Sequence, residues 1–377
     1  WSSDVCSSDL RAGVAIEEDG TLAERREAEA VRRAHDELLA VNQLAAHFFE
    51  QMLREHAHAK LARAELERRG LARDPLDPTG PIADALQAFR LGYAPHGWDA
   101  LVTYLRAQGV SLVAAEKVGL VAPRKSGSGH YDWFRHRLMF AILDGTGRVV
   151  GFSGRVLPDP DTGVVDKTTG KYVNSPESPV YKKGDVVFGL YQARQAIRAA
   201  DNAIVVEGNF DVVSLHARGV KNAVAPLGTA FTLAQAKLLK RHASTVTLLF
   251  DGDAAGRKAT REARTTCRDA GLLAKVATLP DGRDPDDVSR ELGAEGILAP
   301  VRAARGLLEH LIDEALEGAT RTRDARERAA AVEAVVQLLA AEQDPTVQAL
   351  AEAYADTIVR SEEHTSELQS PYVISYA

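Results

Sequence analysis

Short apolar runs alternate with helix-like segments between residues 202 and 294, and this alternation limits the possible fold more than any other feature of the chain. The runs are NAIVVEG, VKNAVAP, STVTLLFDGD and LLAKVATLP. They are rich in β-branched residues and lack polar alternation, which is typical of strands buried on both faces of a parallel sheet. Segments with helical character begin near Phe210, Thr232 and Gly256. The pattern predicts a doubly wound α/β domain.

Acidic residues stand where three of these predicted strands end. Glu207 closes the first strand, with Asp211 one helical turn later, and Asp251 and Asp253 close the third. The acidic loop 281–287 follows the fourth. Ligands of such sheets bind beyond the carboxyl ends of the strands, where several carboxylates repel each other unless cations neutralise them. The pattern therefore favours Mg²⁺ or Mn²⁺ and phosphoryl-transfer chemistry.

Each acidic group alone also has a structural explanation. Asp–Gly pairs form turns, and aspartates cap helices. Asp251, Asp253, Gly256 and Glu262 approach the spacing of a calcium-binding EF-hand loop. That interpretation fails because a strand, not a helix, precedes Asp251, and Ala255 occupies the fifth position. Three acidic strand ends in one order are a more specific signal than any one of them.

The region before the α/β segment is locally basic. Residues 91–190 alternate apolar and polar residues between Gly, Pro and Asn, which predicts an α+β domain rich in antiparallel strands. Residues 121–200 hold twelve Lys or Arg against seven Asp or Glu. This excess indicates a phosphate-binding surface, and a mixed solvated surface is the alternative. A helical segment at 22–69 and a proline-rich linker at 74–81 precede this region.

Composition excludes several other classes of protein. Hydrophobic residues make up 45% of the chain, which is enough to form real cores. No apolar run reaches the roughly 18 residues of a membrane-spanning helix, and two cysteines cannot build a disulfide framework. The net charge of −7 argues against coating of nucleic acid by overall charge. We expect a cytoplasmic protein without membrane contact.

The two ends of the chain share no periodicity with their neighbours. Residues 1–10 (WSSDVCSSDL) and 360–369 (RSEEHTSELQ) are related through the genetic code, because one codon choice for the first has a reverse complement that encodes RSEEHTSEL. They resemble a translated sequencing-library adapter, with ordinary polar tails as the alternative. We expect residues 1–10 and 361–377 to make no ordered contacts with the core, and the natural protein to extend beyond both ends.

Several segments together resemble bacterial-type DNA primases of the DnaG family. VVEGNFDVVSL, APLGTAFT, LLFDGDAAGRKA and LPDGRDPDD are similar to the toprim domain of these enzymes. FRHRLMFAILDGTGRVVGFSGRVL and KYVNSPESPVYKKGDVVFGLY are similar to the basic subdomain that precedes it. Toprim motifs alone also occur in topoisomerases and nucleases, whereas the FSGRV and KYVNSPE segments belong to primases. The resemblance covers residues 35–359 and implies an RNA polymerase core that makes short RNA primers on single-stranded DNA.

The resemblance also implies the architecture. It predicts an α+β basic subdomain, then an α/β toprim subdomain with a Rossmann-like parallel sheet, then a C-terminal helical bundle. The implied divisions are 1–10 (adapter-like), 11–80 (helical segment and linker), 81–200 (basic subdomain), 201–296 (toprim domain), 297–359 (bundle) and 360–377 (adapter-like).

Residues of the site are implied by the same motifs. The implied ligands of two or three Mg²⁺ or Mn²⁺ ions are Glu207, Asp211, Asp251, Asp253, Asp284 and Asp286. Glu207, Asp251 and Asp253 are the implied catalytic residues, and Glu207 is also a candidate proton acceptor. The implied contacts to nucleotide phosphates and template are Arg135, Arg137, Arg155, Lys171, Tyr172, Asn174 and Lys183. Asn209–Phe210 departs from the family pattern of an aromatic residue and then methionine, which should alter helix packing more than metal binding.

Two parts of the family pattern are not found in the sequence. One is a zinc-binding domain, and the other is a domain that docks on the replicative helicase, so we expect zinc and helicase contact only in a longer protein. Alternative functions are a toprim nuclease, a type I topoisomerase, which would need a gate-domain tyrosine, and a non-catalytic single-strand-binding module. Binding alone does not require six acids, which favours the enzyme.

Overall fold

A computed structural model of the chain describes residues 22–72, 79–125, 127–165, 168, 170–228, 230–280, 283–321 and 324–368. The adapter-like residues 1–10 and 369–377 lie outside the described residues, and residues 361–368 are described only as the end of a helix. The expectation that both ends avoid the core therefore stays a prediction. Among the described residues, no helix is both long and apolar enough to cross a bilayer.

The first half of the described chain combines helices with short antiparallel strands. Its elements are α1 (Leu22–Glu55), α2 (Ala59–Arg68), α3 (Pro81–Ala88), β1 (Gly92–Ala94), α4 (Ala100–Ala107), α5 (Leu112–Lys117), β2 (Val121–Pro123), β3 (His130–Asp132), β4 (Arg137–Leu143), β5 (Val149–Val156), β6 (Tyr172–Asn174), a 3₁₀ turn (Lys183–Asp185) and α6 (Leu190–Ala200).

A four-stranded antiparallel sheet in the order β1-β4-β5-β6 forms the centre of this half. Helix α1 lies across it and buries an apolar stripe that includes Leu38, Val41 and Phe48. The crossing is so close that a Cβ on Gly92 of β1 would lie 2.5 Å from the Cβ of Phe49. Glycine is therefore needed at this contact. The predicted α+β basic subdomain is confirmed.

The second half contains the predicted parallel sheet. Its elements are β7 (Asn202–Val205), α7 (Asn209–Ala217), β8 (Ala223–Val224), α8 (Leu233–Lys240), β9 (Thr245–Leu248), α9 (Ala254–Ala270), β10 (Leu273–Val276), α10 (Pro285–Leu292), α11 (Glu295–Arg302), β11 (Arg305–Gly306), α12 (Leu307–Arg321), α13 (Ala325–Ala340) and α14 (Pro345–Leu368).

The strand order of this sheet is β11-β10-β9-β7-β8, with β8, β7, β9 and β10 parallel and β11 antiparallel. The predicted α/β toprim fold is confirmed. One detail was wrong, because β10 is not buried on both faces and its Leu273 is 66% exposed. Only the two-residue strand β11 lies beyond β10, so β10 is close to the sheet edge.

Helices α12, α13 and α14 form the predicted C-terminal bundle. Leu308, Ile312, Val335 and Leu339 form its apolar core together with Ala351. Asp324 begins α13 by accepting hydrogen bonds from the backbone N–H groups of the first turn. The bundle packs against the toprim sheet through Leu307 and Leu311 of α12, which belong to the toprim core.

His216 of α7 makes the stability of this fold sensitive to pH. Burial lowers the pKa of His216 to about 4, while Nε2–H donates to the carbonyl of Ala223 at 2.9 Å. In the unfolded chain the imidazole has a pKa of about 6.5, so only that state gains a proton between the two values. We expect the free energy of unfolding to be fully retained above pH 6.5 and to fall by up to about 3 kcal/mol on acidification to pH 4.

Urea denaturation at a series of pH values measures this dependence. His216→Gln keeps an N–H donor without titrating, so it should flatten the pH profile between pH 4 and 6.5. His47, which is exposed on α1, is the matched control, and His47→Gln should leave the profile unchanged. Equal slopes for His216→Gln and the unmodified protein would contradict the assignment.

Candidate active site

The acidic residues predicted at strand ends meet at one edge of the parallel sheet. Glu207 follows β7 and Asp251 follows β9, which is the neighbouring strand. Asp253 is the N-cap of α9, and Asp284 is the N-cap of α10. Asp211 lies in the first turn of α7 and is buried. The edge therefore collects carboxylates from three separate strand-to-helix connections.

Backbone N–H groups hold these carboxylates in place. Glu207 Oε1 accepts from the N–H of Asp251 at 2.9 Å, which ties two strand ends together. Asp211 accepts from the N–H of Gly208 at 2.9 Å, Asp253 from Gly256 at 2.8 Å, and Asp284 from Asp286 at 2.7 Å. The capping interpretation is thus correct for Asp253 and Asp284. A cap uses one carboxylate oxygen, so it does not exclude a second role for the other.

Burial and mutual repulsion raise the pKa of three of the acids. The pKa of Asp211 lies well above its usual value because its carboxyl is buried and faces Asp284 and Asp251. Partial burial raises the pKa of Glu207, and Asp251, Asp253 and Asp284 add repulsion. The pKa of Asp251 is raised by burial, then by Asp284 and Asp253, and is lowered by Lys171. These groups share one negative field, which a bound cation would relieve.

The donor chemistry of this edge fits a hard divalent cation. All of the side-chain atoms at this edge that could bind a metal ion are carboxylate oxygens, which suit Mg²⁺ and Mn²⁺. These ions complete their coordination shells with water or phosphate oxygens. The side chains do not converge on one point. Among the described residues, no group of three or more His, Cys, Asp or Glu is placed to hold a single ion. The edge therefore offers carboxylates around a shared space rather than a closed cage.

Asp286 has a different environment from the other five acids. It is 1% exposed, Oδ2 accepts from Arg69 Nη1 at 2.6 Å, and Oδ1 accepts from the Ser214 hydroxyl. Both of its oxygens therefore contact protein donors. Arg69 was not predicted from the sequence, because an arginine at the end of a charged helix gives no sign that it is largely buried against another domain.

Arg155 and Tyr172 lie beside this pair and also contact protein groups. Arg155 Nη2 lies 3.1 Å from Glu65 Oε1, and Nη1 donates to the Tyr172 hydroxyl at 3.1 Å. The guanidinium groups of Arg69 and Arg155 stack near the ring of Phe210, at 4.5 and 5.0 Å from its centroid. The unusual Phe210 is thus an anchor for two arginines, and it links the basic subdomain to α7.

Three other predicted residues lie at two places, Lys171 near Asp251, and Lys183 with Asn174 at Gly228 in the segment after β8. Lys171 is near enough to Asp251 to lower the pKa of that carboxyl. Lys183 donates to the carbonyl of Gly228 at 3.2 Å, and the Asn174 amide approaches the same glycine. The Asn174 Oδ1 atom is buried and has no hydrogen-bond partner among the described residues. Lys171 therefore places positive charge beside Asp251, while Lys183 and Asn174 lie together at Gly228.

Arg135 and Arg137 occupy two further environments. Arg137 is 7% exposed and donates to the carbonyls of Gly154 and Gly170, so its charge is buried in the subdomain. Arg135 instead stacks on the Trp98 and Tyr131 rings, with centroid distances of 4.4 and 5.3 Å.

Trp98 is 58% exposed, and together Trp98, Tyr131 and Arg135 form an aromatic–basic platform. Neither aromatic residue was predicted from the sequence. The mixture of aromatic and basic residues in HYDWFRHR was the available signal for Tyr131, whereas Trp98 lies outside that segment, in HGWDA.

A parallel sheet with an acidic carboxyl edge, joined to an antiparallel subdomain rich in Lys and Arg, is the architecture of a toprim-containing protein. Residues 48–194 match the family model described as the DNA primase catalytic core, N-terminal domain, and residues 204–289 match the toprim-like family model. The chain belongs to the DnaG family of bacterial-type DNA primases.

Individual relatives agree with this assignment. The DNA primase of Halalkalibacterium halodurans is 40% identical over 289 residues, which cover 74% of this chain and 45% of that relative. The RNA polymerase domain of Mycobacterium tuberculosis primase DnaG is similar in structure, with a TM-score of 0.73 and 34% identity over 85% of this chain and 97% of that domain. A DnaG primase catalytic domain bound to ssDNA has a TM-score of 0.70 and 31% identity over 86% of this chain and 99% of that domain. The chain spans less than half the length of the curated relatives it matches.

Proposed function

We propose that this chain is a primase catalytic core that synthesises short RNA primers from ribonucleoside triphosphates on a single-stranded DNA template. The observation that carries the proposal is the acidic edge of Glu207, Asp211, Asp251, Asp253 and Asp284 facing the basic side chain of Lys171. Carboxylates alone would repel a triphosphate. Together with divalent ions and adjacent lysines they form a site that accepts one.

The residues of the edge divide the chemistry among them. Lys171 and Lys183 bind nucleotide phosphates, and Asn174 supplies an amide beside them. The five carboxylates would hold two or three Mg²⁺ or Mn²⁺ ions, which would supply charge neutralisation for nucleotidyl transfer. Glu207, whose pKa is raised, is the candidate acceptor for the proton of the primer 3′-hydroxyl. Asp286 has a structural role beside this edge, because it accepts hydrogen bonds from Arg69 and Ser214.

Incorporation of labelled ribonucleotides on a single-stranded template tests this function. We expect incorporation with Mg²⁺ or Mn²⁺ and none with a chelator. Single-strand binding without incorporation under any metal condition would instead favour a non-catalytic binding module. We place the reaction in the cytoplasm, and we assign zinc-dependent site selection and contact with the replicative helicase to other parts of a longer protein.

We further propose that the platform of Trp98, Tyr131 and Arg135 binds the template strand. Exposed aromatic rings with an adjacent guanidinium stack on bases of any sequence, and the structural relative bound to ssDNA supports a strand-binding surface in this fold. Trp98→Ala should weaken single-strand binding by about 1–3 kcal/mol, since that is the typical contribution of one base–aromatic stack.

Fluorescence anisotropy with a labelled oligonucleotide measures this loss. Tyr191 on α6 is the matched control, because Arg194 stacks on it at 4.2 Å in another part of the molecule. Tyr191→Ala should leave the affinity unchanged. Equal affinities for Trp98→Ala and the unmodified protein would exclude the platform from template binding.

A further inference from the structure

The loop that carries Asp251 and Asp253 is packed on one side only. On its helix side a Cβ at Gly256 would lie 2.0 Å from the carbonyl oxygen of Asp251, so the loop rests directly on the first turn of α9. On its other side lies a cavity of about 320 Å³, bounded by His310 and Glu314 of α12. Side-chain packing from the bundle therefore does not fix this face of the loop.

Arg257 bridges this open side. Its Nη1 donates to the carbonyl oxygen of Gly252 at 2.5 Å, and Gly252 stands between the two aspartates. Asp253 is itself held by the N–H of Gly256. The loop is thus tied to α9 at two points, and Arg257 restrains the peptide that separates the two carboxylates.

Glu314 orients Arg257 from the bundle. Glu314 Oε1 lies 3.7 Å from Arg257 Nε and 2.5 Å from Arg261 Nη2. Further along the same face of α9, Arg264 donates to the carbonyl of Leu338 at 2.9 Å. Arg268 donates to Ala341 in the same way at 2.8 Å. These contacts hold α12 and α13 against α9, so Glu314 has a defined position relative to the loop.

We infer that Arg257 is a positioning residue for the Asp251–Asp253 loop and that Glu314 of the helical bundle orients it. The inference rests on the proposed function, in which these carboxylates hold divalent ions. The bundle thereby contributes to the metal affinity of the site, although none of the proposed metal ligands belongs to the bundle. Outer contacts of this kind typically change metal affinity or activity by about 10–100-fold when removed.

Mn²⁺ binding to the full chain, followed by electron paramagnetic resonance, tests the inference without an activity assay. Arg257→Ala should weaken Mn²⁺ affinity by about 10-fold or more, and Glu314→Gln should weaken it less, because Arg257 keeps its contact with Gly252. Arg257→Lys restores one donor to that carbonyl and should recover part of the affinity. Arg261→Ala is the matched control, since it loses the ion pair with Glu314 but has no contact with the loop, and it should bind Mn²⁺ like the unmodified protein.

Thermal unfolding of each variant shows whether the fold is retained. If Arg257→Ala proves unstable, the Mn²⁺ affinities of Glu314→Gln and Arg261→Ala are compared instead. Weaker binding by Glu314→Gln than by Arg261→Ala supports the positioning role, and equal binding contradicts it. Unchanged Mn²⁺ affinity in Arg257→Ala, with reduced affinity in Asp251→Asn, would overturn the positioning role and leave the proposed function intact. If the unmodified protein binds no Mn²⁺ in a manner that depends on Asp251, the proposed function and this inference both fall.

Discussion

Asp251→Asn is expected to lower the rate of ribonucleotide incorporation by about 10²–10³, because loss of one preorganised electrostatic contact in an active site costs that much. Asparagine keeps the shape of the side chain and removes its charge. The backbone N–H of residue 251 still donates to Glu207, so the strand end stays in place. Single-strand affinity should be unchanged or slightly raised, since a negative charge near the template has gone. Incorporation assays and oligonucleotide anisotropy measure the two effects separately.

Asp287 provides the matched control for this substitution. It follows the Asp284–Asp286 pair, but its side chain is 51% exposed and forms an ion pair with Arg290. Asp287→Asn removes the same charge from the same end of the molecule, and we expect near-normal incorporation. Full metal-dependent incorporation by Asp251→Asn would contradict the catalytic assignment and reduce the acidic strand ends to turn and capping residues.

The acidic edge could be predicted because its geometry follows from chain order. A buried strand ends where its apolar run ends, and parallel strands end on the same side of the sheet. Glu207 and Asp251 could therefore be placed together without knowledge of any side-chain contact. Asp286 shows the limit of this reasoning. In the first turn of α10 its side chain points toward Arg69, and the position of a strand end does not predict that direction.

The basic residues could be counted from the sequence but not sorted by environment. Arg137 is buried because β5 and the chain before β6 cover it, and Arg155 is held by Glu65 from a helix about ninety positions earlier. Lys171 remains exposed beside Asp251. Whether an arginine side chain contacts water, a carbonyl or a carboxylate depends on which helix or strand, distant in the sequence, packs against it. The local charge and periodicity of a segment do not predict that packing contact.

The contact between Arg69 and Asp286 joins the N-terminal helices to the toprim domain across more than two hundred positions. The Asp286 side chain is 2% exposed and that of Arg69 is 14% exposed, so water screens the pair poorly. Burial lowers the pKa of Arg69, but Asp286 and Glu65 together outweigh burial, so that the pKa is raised. Burial of both charges means that the two partners need each other, even though the pair itself is weak evidence of net stabilisation.

Arg69→Ala should therefore lower the free energy of unfolding by about 3–5 kcal/mol, the usual cost of leaving one buried charge without its partner. Urea denaturation measures the loss. Arg68 is the matched control, because it pairs with Glu65 at 2.8 Å but is 59% exposed, and Arg68→Ala should cost less than about 1 kcal/mol. Adding Asp286→Asn to Arg69→Ala should recover much of the loss, since no uncompensated charge then remains and the amide oxygen still accepts from Ser214. Equal unfolding midpoints for Arg69→Ala and Arg68→Ala would show that the buried pair does not couple the two parts of the chain.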